Sequence, residues 1–348
     1  TSLLLAGCAS SGGGQLPDGA QSSPLPAAAP YLEMTKPNSG IAVWPSGSAW
    51  VLLSTSDGFG HVTNRTPQAV ETDGGLVAAV AAGNATVAVR PHEQLVRSPV
   101  LTADGTWQWD AGELPGAVAD SRAALSVVPD SAVITSGHGT LERRTAHGWT
   151  AAVSAARLAQ GLTLDAVTWA SGRIGWLTGS ADGTATAYGT RDGGATWTPV
   201  AHTAGSMTAT LPACGSGSSW ILPVIRSGTS MVVLRTSDSG AHWTAGSSVA
   251  LGSAGPVVGC ARDVVWLEAL RRDQDRILSS SDDGATWSDR GVAPGDLRGL
   301  TPTGGGAGFA TSGGSHPTLW RVSDDGGRFS RITLPAWVAA LGHQGSGS

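Results

Sequence analysis

Along the chain, short alternating runs of apolar and polar residues are broken every few positions by Asp-Gly, Ser-Gly or Asn-Ala pairs. A period of two places successive side chains on opposite faces of a strand, and such pairs supply the turn between two strands of a hairpin. Asp165-Ala166-Val167-Thr168-Trp169 reads as one strand and Gly175-Trp176-Leu177-Thr178-Gly179 as the next. A third run, 184–190, leads into a polar turn, and 196–200 closes the unit. Four short strands in sequence predict an antiparallel sheet, so the chain is expected to be all-β.

The unit repeats. Thr190-Arg191-Asp192-Gly193-Gly194-Ala195-Thr196-Trp197 aligns with Thr236-Ser237-Asp238-Ser239-Gly240-Ala241-His242-Trp243 and with Ser280-Ser281-Asp282-Asp283-Gly284-Ala285-Thr286-Trp287. A fourth copy, 322–329, keeps Asp324 and Gly326 and ends on Phe329. Decayed copies lead to Trp109 and Trp149. From Trp109 through Trp149, Trp197, Trp243 and Trp287 to Phe329 the steps are 40, 48, 46, 44 and 42 residues. A second marker, a small or polar residue before an aromatic or β-branched one, runs in step at Trp50, Val87, Val133, Trp176, Trp220, Trp266 and Phe309. A fixed period of this length signals repeated supersecondary units stacked on one another.

The shared Ser/Thr-x-Asp-x-Gly-x-x-Trp pattern resembles the Asp-box (BNR) repeat of sialidase-like propellers, and also the propeller family of photosystem II assembly and stability factors. The resemblance implies a seven-bladed β-propeller of four-stranded antiparallel blades, starting near 39, 76, 120, 162, 206, 252 and 297. Within each box the Asp is expected to accept backbone N–H groups, the Gly to take the positive φ of the turn, and the Trp to fill the gap between blades. Thr190, Asp192, Gly194 and Trp197, with Thr236, Asp238, Gly240 and Trp243, are therefore read as structural. The same holds for Ser280, Asp282, Gly284 and Trp287, and for Asp324, Gly326 and Phe329.

Composition adds the compartment. The chain has 348 residues, 50 of them Gly, with 14% charged residues and a net charge of −5. Nothing in that balance calls for nucleic acid, and no run of about 20 apolar residues spans a membrane. The opening Leu5-Ala6-Gly7-Cys8 resembles the lipobox of bacterial lipoproteins, without the basic segment that begins a signal peptide, as though cut upstream. The resemblance implies a lipid on Cys8 and an extracytoplasmic protein held to the cell membrane by that anchor alone. Residues 1–8 are then a signal remnant, 9–38 a Gly/Ser/Pro-rich tether, 39–335 the propeller and 336–348 a tail. Ring closure is left open between residues 31–37 as an added edge strand and the tail from Ala336 as a cover.

Catalytic chemistry is not legible. The sialidase resemblance implies an arginine triad and a Tyr–Glu nucleophile, yet the only tyrosines are Tyr31, in the tether, and Tyr188, in a strand before a box. The histidines and cysteines show no metal-ligand spacing, and neither a metal nor a cofactor is expected. Cys214 and Cys260 each stand six residues before an equivalent Trp (Trp220, Trp266), so they occupy matching positions in neighbouring blades; a disulfide and a pair of buried thiols are both open. The loops between second and third strands fall on one face, at 90–93, 136–138, Arg226, 268–276 and 313–316. Of these, 268–276 is the most charged, and Arg271, Arg272, Asp273, Asp275 and Arg276 are the candidate binding face. The expected function is a monomeric, non-catalytic binding or scaffold module for an envelope protein or a glycan; the alternative is a glycan-active hydrolase or carbohydrate-binding propeller.

Overall fold

The computed structural model describes the residues between Pro30 and Ala340, apart from 47–48, 66–75, 82–83, 90–98, 102–106, 110–123, 129–130, 136–139, 146–147, 155–157, 159–161, 182–183, 201–208, 211–212, 227–229, 252–256, 262–263, 272, 305, 314–316 and 324–327. Between 76 and 154 it describes strands but, Leu141 excepted, no side chains. Cys8, Asp324, Gly326 and Arg272 lie outside the described residues, as do the loops 90–93 and 136–138.

The strands form seven antiparallel sheets. The first runs Tyr31–Lys36, Ser39–Ser46, Ala49–Thr55, Thr63–Asn64, and the second Leu76–Ala81, Asn84–Val89, Pro99–Leu101, Trp107–Trp109. The third comprises Ala124–Val128, Ser131–Thr135, Thr140–Thr145 and Gly148–Ser154, and the fourth Thr163–Trp169, Gly175–Ala181, Thr184–Thr190 and Thr198–Pro199. The fifth holds Ala209–Thr210, Cys214–Ser216, Ser219–Arg226, Ser230–Thr236 and Thr244–Ala250. Val258–Ala261, Val264–Arg271, Gln274–Ser280 and Ser288–Val292 make the sixth, and Leu297–Gly304, Ala307–Ser312, Thr318–Val322 and Phe329–Ile332 the last. The inner strands of most successive sheets neighbour one another, Ala209–Thr210 of the fifth meets the second and third strands of the fourth, and the first strand of the last sheet returns to Tyr31–Lys36.

The expectation of seven four-stranded blades is corrected. Five blades are present as packed units, the first, fourth, fifth, sixth and last sheets, whose side chains interdigitate with a neighbour's. A sequence period counts hairpin units, whereas a blade also needs an apolar face filled by the next sheet. Nor are all sheets four-stranded. In the fifth, Ala209–Thr210 and Cys214–Ser216 both pair with Ser219–Arg226, so the inner strand is split.

The start of the first sheet also shifts. Tyr31–Lys36, assigned to the tether by composition, is its inner strand, with Tyr31 3% exposed and paired to Val43. Trp50 consequently lies in a third strand, where the repeat marker would place it in a second.

Apolar clusters fill the gaps. Trp176, Val200, Trp220, Val224 and Trp243 occupy that between fourth and fifth sheets, where the rings of Trp176 and Trp220 lie 4.5 Å apart. Ile221, Val233, Val258 and Leu267 fill the next. Ring closure is made by Leu32, Trp44 and Phe59 against Phe309 and Leu319, capped by Val338 of a short helix, α1 (Ala336–Ala340). Thr301 and Thr311 of the last sheet donate to the carbonyls of Leu32 and Pro30, at 3.3 and 3.4 Å. Tyr31–Lys36 closes the ring as an inner strand and not as an edge strand, and the tail from Ala336 covers the junction as a helix.

Candidate functional site

In the fourth, fifth and sixth sheets the third strand leaves through a Ser/Thr-x-Asp turn. The Thr190 hydroxyl donates to Asp192 (2.8 Å) while accepting Gly194 N–H (2.8 Å), and Asp192 accepts the amide and hydroxyl of Thr196 (2.9 and 2.6 Å). Thr236–Asp238–His242 and Ser280–Asp282–Thr286 repeat the network. These donors hold the carboxylates down: Asp192 to about 2, chiefly through the Thr196 hydroxyl, Asp282 to about 2, chiefly through the Thr286 amide, and Asp238 lower still through the His242 amide. Trp197, Trp243 and Trp287 lie in the gaps between sheets.

A further copy escaped sequence comparison. Thr55-Ser56-Asp57-Gly58-Phe59-Gly60-His61-Val62 makes the same bonds: the Thr55 hydroxyl accepts Phe59 N–H at 2.9 Å, and Asp57 accepts His61 N–H at 2.8 Å. Phe59 takes the glycine position at φ 68°, beside 91°, 83° and 82° at Gly194, Gly240 and Gly284. Its ring meets Phe309 edge-on at 5.5 Å. Only the spaced Thr-x-Asp signals this copy, because Phe and Val replace Gly and Trp.

The opposite end of the sixth sheet carries the candidate face. Alternation splits the charged residues between two sides. Arg271 and Arg276 belong to the side facing the fifth sheet, where Arg276 bonds Asp289 at 2.6 Å and both arginines lower the Asp289 carboxyl. Val264, Trp266 and Glu268 face the last sheet. On that side Glu268 is 2% exposed, and its Oε2 has no hydrogen-bond partner. Burial, followed by the Asp275 carboxylate, pushes its carboxyl up to about 8, against a smaller opposing pull from Arg298. Arg298 pairs with Asp296 at 2.6 Å and lies against Gly313 of the last sheet. Asp273 forms the hairpin tip at φ 61°. Leu270 and Val292, 43% and 53% exposed, are the large exposed apolar residues among those described, and both stand at this end of the sixth sheet.

Asp275 and Arg276, adjacent in sequence, thus serve different gaps. Glu268 was legible only as part of a charged run, and Asp296 and Arg298 not at all, since they come from the next sheet. Cys214 and Cys260 are disulfide-bonded between the inner strands of the fifth and sixth sheets, with Cα atoms 6.0 Å apart. Among the described residues, no three His, Cys, Asp or Glu side chains converge as a metal site.

No protein-family model matches the sequence, and no curated protein does. Solved structures share the architecture. A prolyl endopeptidase superposes with TM-score 0.61 at 12% identity, over 88% of this chain and 49% of its own. The fold is that of a β-propeller. YCF48 bound to D1 peptide gives 0.58 at 18% identity, covering 86% and 93%, and the GH74 xyloglucanase from Xanthomonas campestris gives 0.56 at 16%, covering 85% and 52%. This chain spans about half the length of the endopeptidase and the xyloglucanase. At these identities the likeness concerns the fold alone.

Proposed function

We infer that this propeller is a non-catalytic module that binds a protein segment on the end of the sixth sheet, tethered to a bacterial membrane through Cys8 and serving an envelope protein. The reading rests on one observation: Leu270 and Val292 stand exposed among ion pairs in a chain only 14% charged. Exposed apolar side chains bordered by charged ones suit a protein contact. YCF48 was solved with a peptide, which makes peptides the first ligand class to try here. The test is crosslinked capture of the lipidated protein from its native membranes, comparing the wild type with Arg271→Ala/Leu270→Ser. A partner enriched by the wild type and lost from the variant, at unchanged melting temperature, supports the reading. Equal enrichment by both rejects this face.

A second reading, glycan hydrolysis, draws on Glu268 and Asp275, since a carboxyl held protonated beside a second carboxylate is the acid of two-carboxylate mechanisms. Turnover of fluorogenic glycosides, abolished in Glu268→Gln, would establish it.

A further inference from the structure

We propose that the mouth of the gap between the sixth and last sheets binds the cationic end of an arginine or lysine side chain from a partner segment; this rests on the protein-binding reading above. Among the described residues, the mouth gathers the carboxyl groups of Glu268, Asp275 and Asp296 with the guanidinium of Arg298. Arg298 is engaged with Asp296, its side chain is 47% exposed, and it rests on Gly313 at the rim, so it can swing outward. That leaves Glu268 buried with an unpartnered oxygen. Such an atom is costly to keep in a protein and repays any group that satisfies it.

Among the described residues, the other groups facing this gap do not supply a counterion. Trp320 and Ser312 of the last sheet bond each other at 3.3 Å and are uncharged. Arg271 and Arg276 belong to the opposite side of the sheet, with Asp289. Two residues along from Glu268, on the same side, Leu270 is exposed, where the methylene stem of a long basic side chain would lie. Among the described residues, these three carboxyl groups do not converge closely enough to ligate a compact metal ion. The cation that fits is therefore organic and carried on an apolar stem. Its arrival expels the carboxyl proton to solvent: Glu268–COOH plus the cation gives the Glu268 carboxylate–cation pair plus one H⁺.

The experiment is titration calorimetry of the full chain with acetyl-Ala-Leu-Arg-Ala-amide, its lysine analogue and its citrulline analogue, near neutral pH in two buffers of different protonation enthalpy. The proposal expects the arginine and lysine peptides to bind with net proton release and the citrulline peptide to bind about tenfold more weakly or not at all. Glu268→Gln should lose the proton release, and Arg298→Ala, an exposed substitution that does not threaten folding, should tighten binding. Indistinguishable affinities for the arginine and citrulline peptides overturn the proposal, as does an Arg298→Ala variant that binds the arginine peptide no better than the wild type. If partner capture still depends on Arg271 and Leu270 while the peptides ignore charge, the protein-binding reading stands and only this site falls.

Discussion

Glu268 sets a pH dependence that runs opposite to that of the aspartates in the turns. Its carboxyl titrates at about 8 in the folded protein and at its ordinary value of about 4.5 when unfolded. Between those values the folded state holds the extra proton, so stability is greatest below about pH 4.5 for this group and declines as pH rises to about 8. The slope is at most about 1.4 kcal/mol per pH unit. Glu268→Gln, which keeps the shape and removes the ionisation, should flatten that slope and raise the melting temperature at pH 8 or above, as urea denaturation across pH would report. Gly240 is the complementary case. At φ 83° with an added Cβ 2.9 Å from Trp176 Nε1, Gly240→Ala should cost about 1–3 kcal/mol. Phe59, at 68°, already bears that strain, offset by its burial against Phe309.

The Ser/Thr-x-Asp turns act as clasps between sheets as well as caps on hairpins. Arg191 donates to the carbonyl of Asp238 at 2.8 Å, Arg235 to that of Asp282 at 3.5 Å, and Arg321 to that of Gly58 at 2.5 Å. Each arginine ends a third strand or starts its turn and reaches the turn of the next sheet. Arg321 closes the ring and also lies 6.0 Å from the Phe309 ring. Arg321→Ala should lower stability by about 1–2 kcal/mol and, in hydrogen exchange, expose the strands on either side of the closure before the rest. Uniform exchange in the variant would refute the clasp. Acid acts on the same elements. Asp57, Asp192 and Asp282 titrate at about 2, and Asp238 below that, against 3.8 unfolded. Their contribution is complete above about pH 4 and lost as pH falls toward 2, so Thr236→Val, which removes one hydroxyl of the network, should shift acid unfolding to higher pH.

Across the molecule, stability is concentrated where consecutive sheets interlock. The Cys214–Cys260 bond ties the fifth and sixth sheets at their inner strands over a separation of 46 residues. Reduction should cost about 2–4 kcal/mol by relaxing the unfolded chain; Cys214→Ala/Cys260→Ala melting at the same temperature as the wild type would count against that. Helix α1 covers the closure through Val338. Truncation before Ala336 should therefore uncover apolar surface at the junction of the first and last sheets, seen as increased dye binding at unchanged strand content.

The all-β class, the repeat and the three intact turns could be read from residue order alone. All three depend on local rules: strand alternation, turn residues at fixed offsets, and a hydroxyl two residues before an aspartate. The pairing of Cys214 with Cys260 needed more, because matched positions leave open whether two inner strands approach within reach. The number of packed blades could not be counted from a period, since a hairpin unit becomes a blade only when neighbouring faces fill each other. The candidate site shows the same divide. Asp275 and Arg276 are neighbours in sequence, yet strand alternation sends them into different gaps, one toward Glu268 and the other toward Asp289. Asp296 and Arg298 reach Glu268 only because the last sheet packs against the sixth, and long-range packing of that kind leaves no mark in a local pattern.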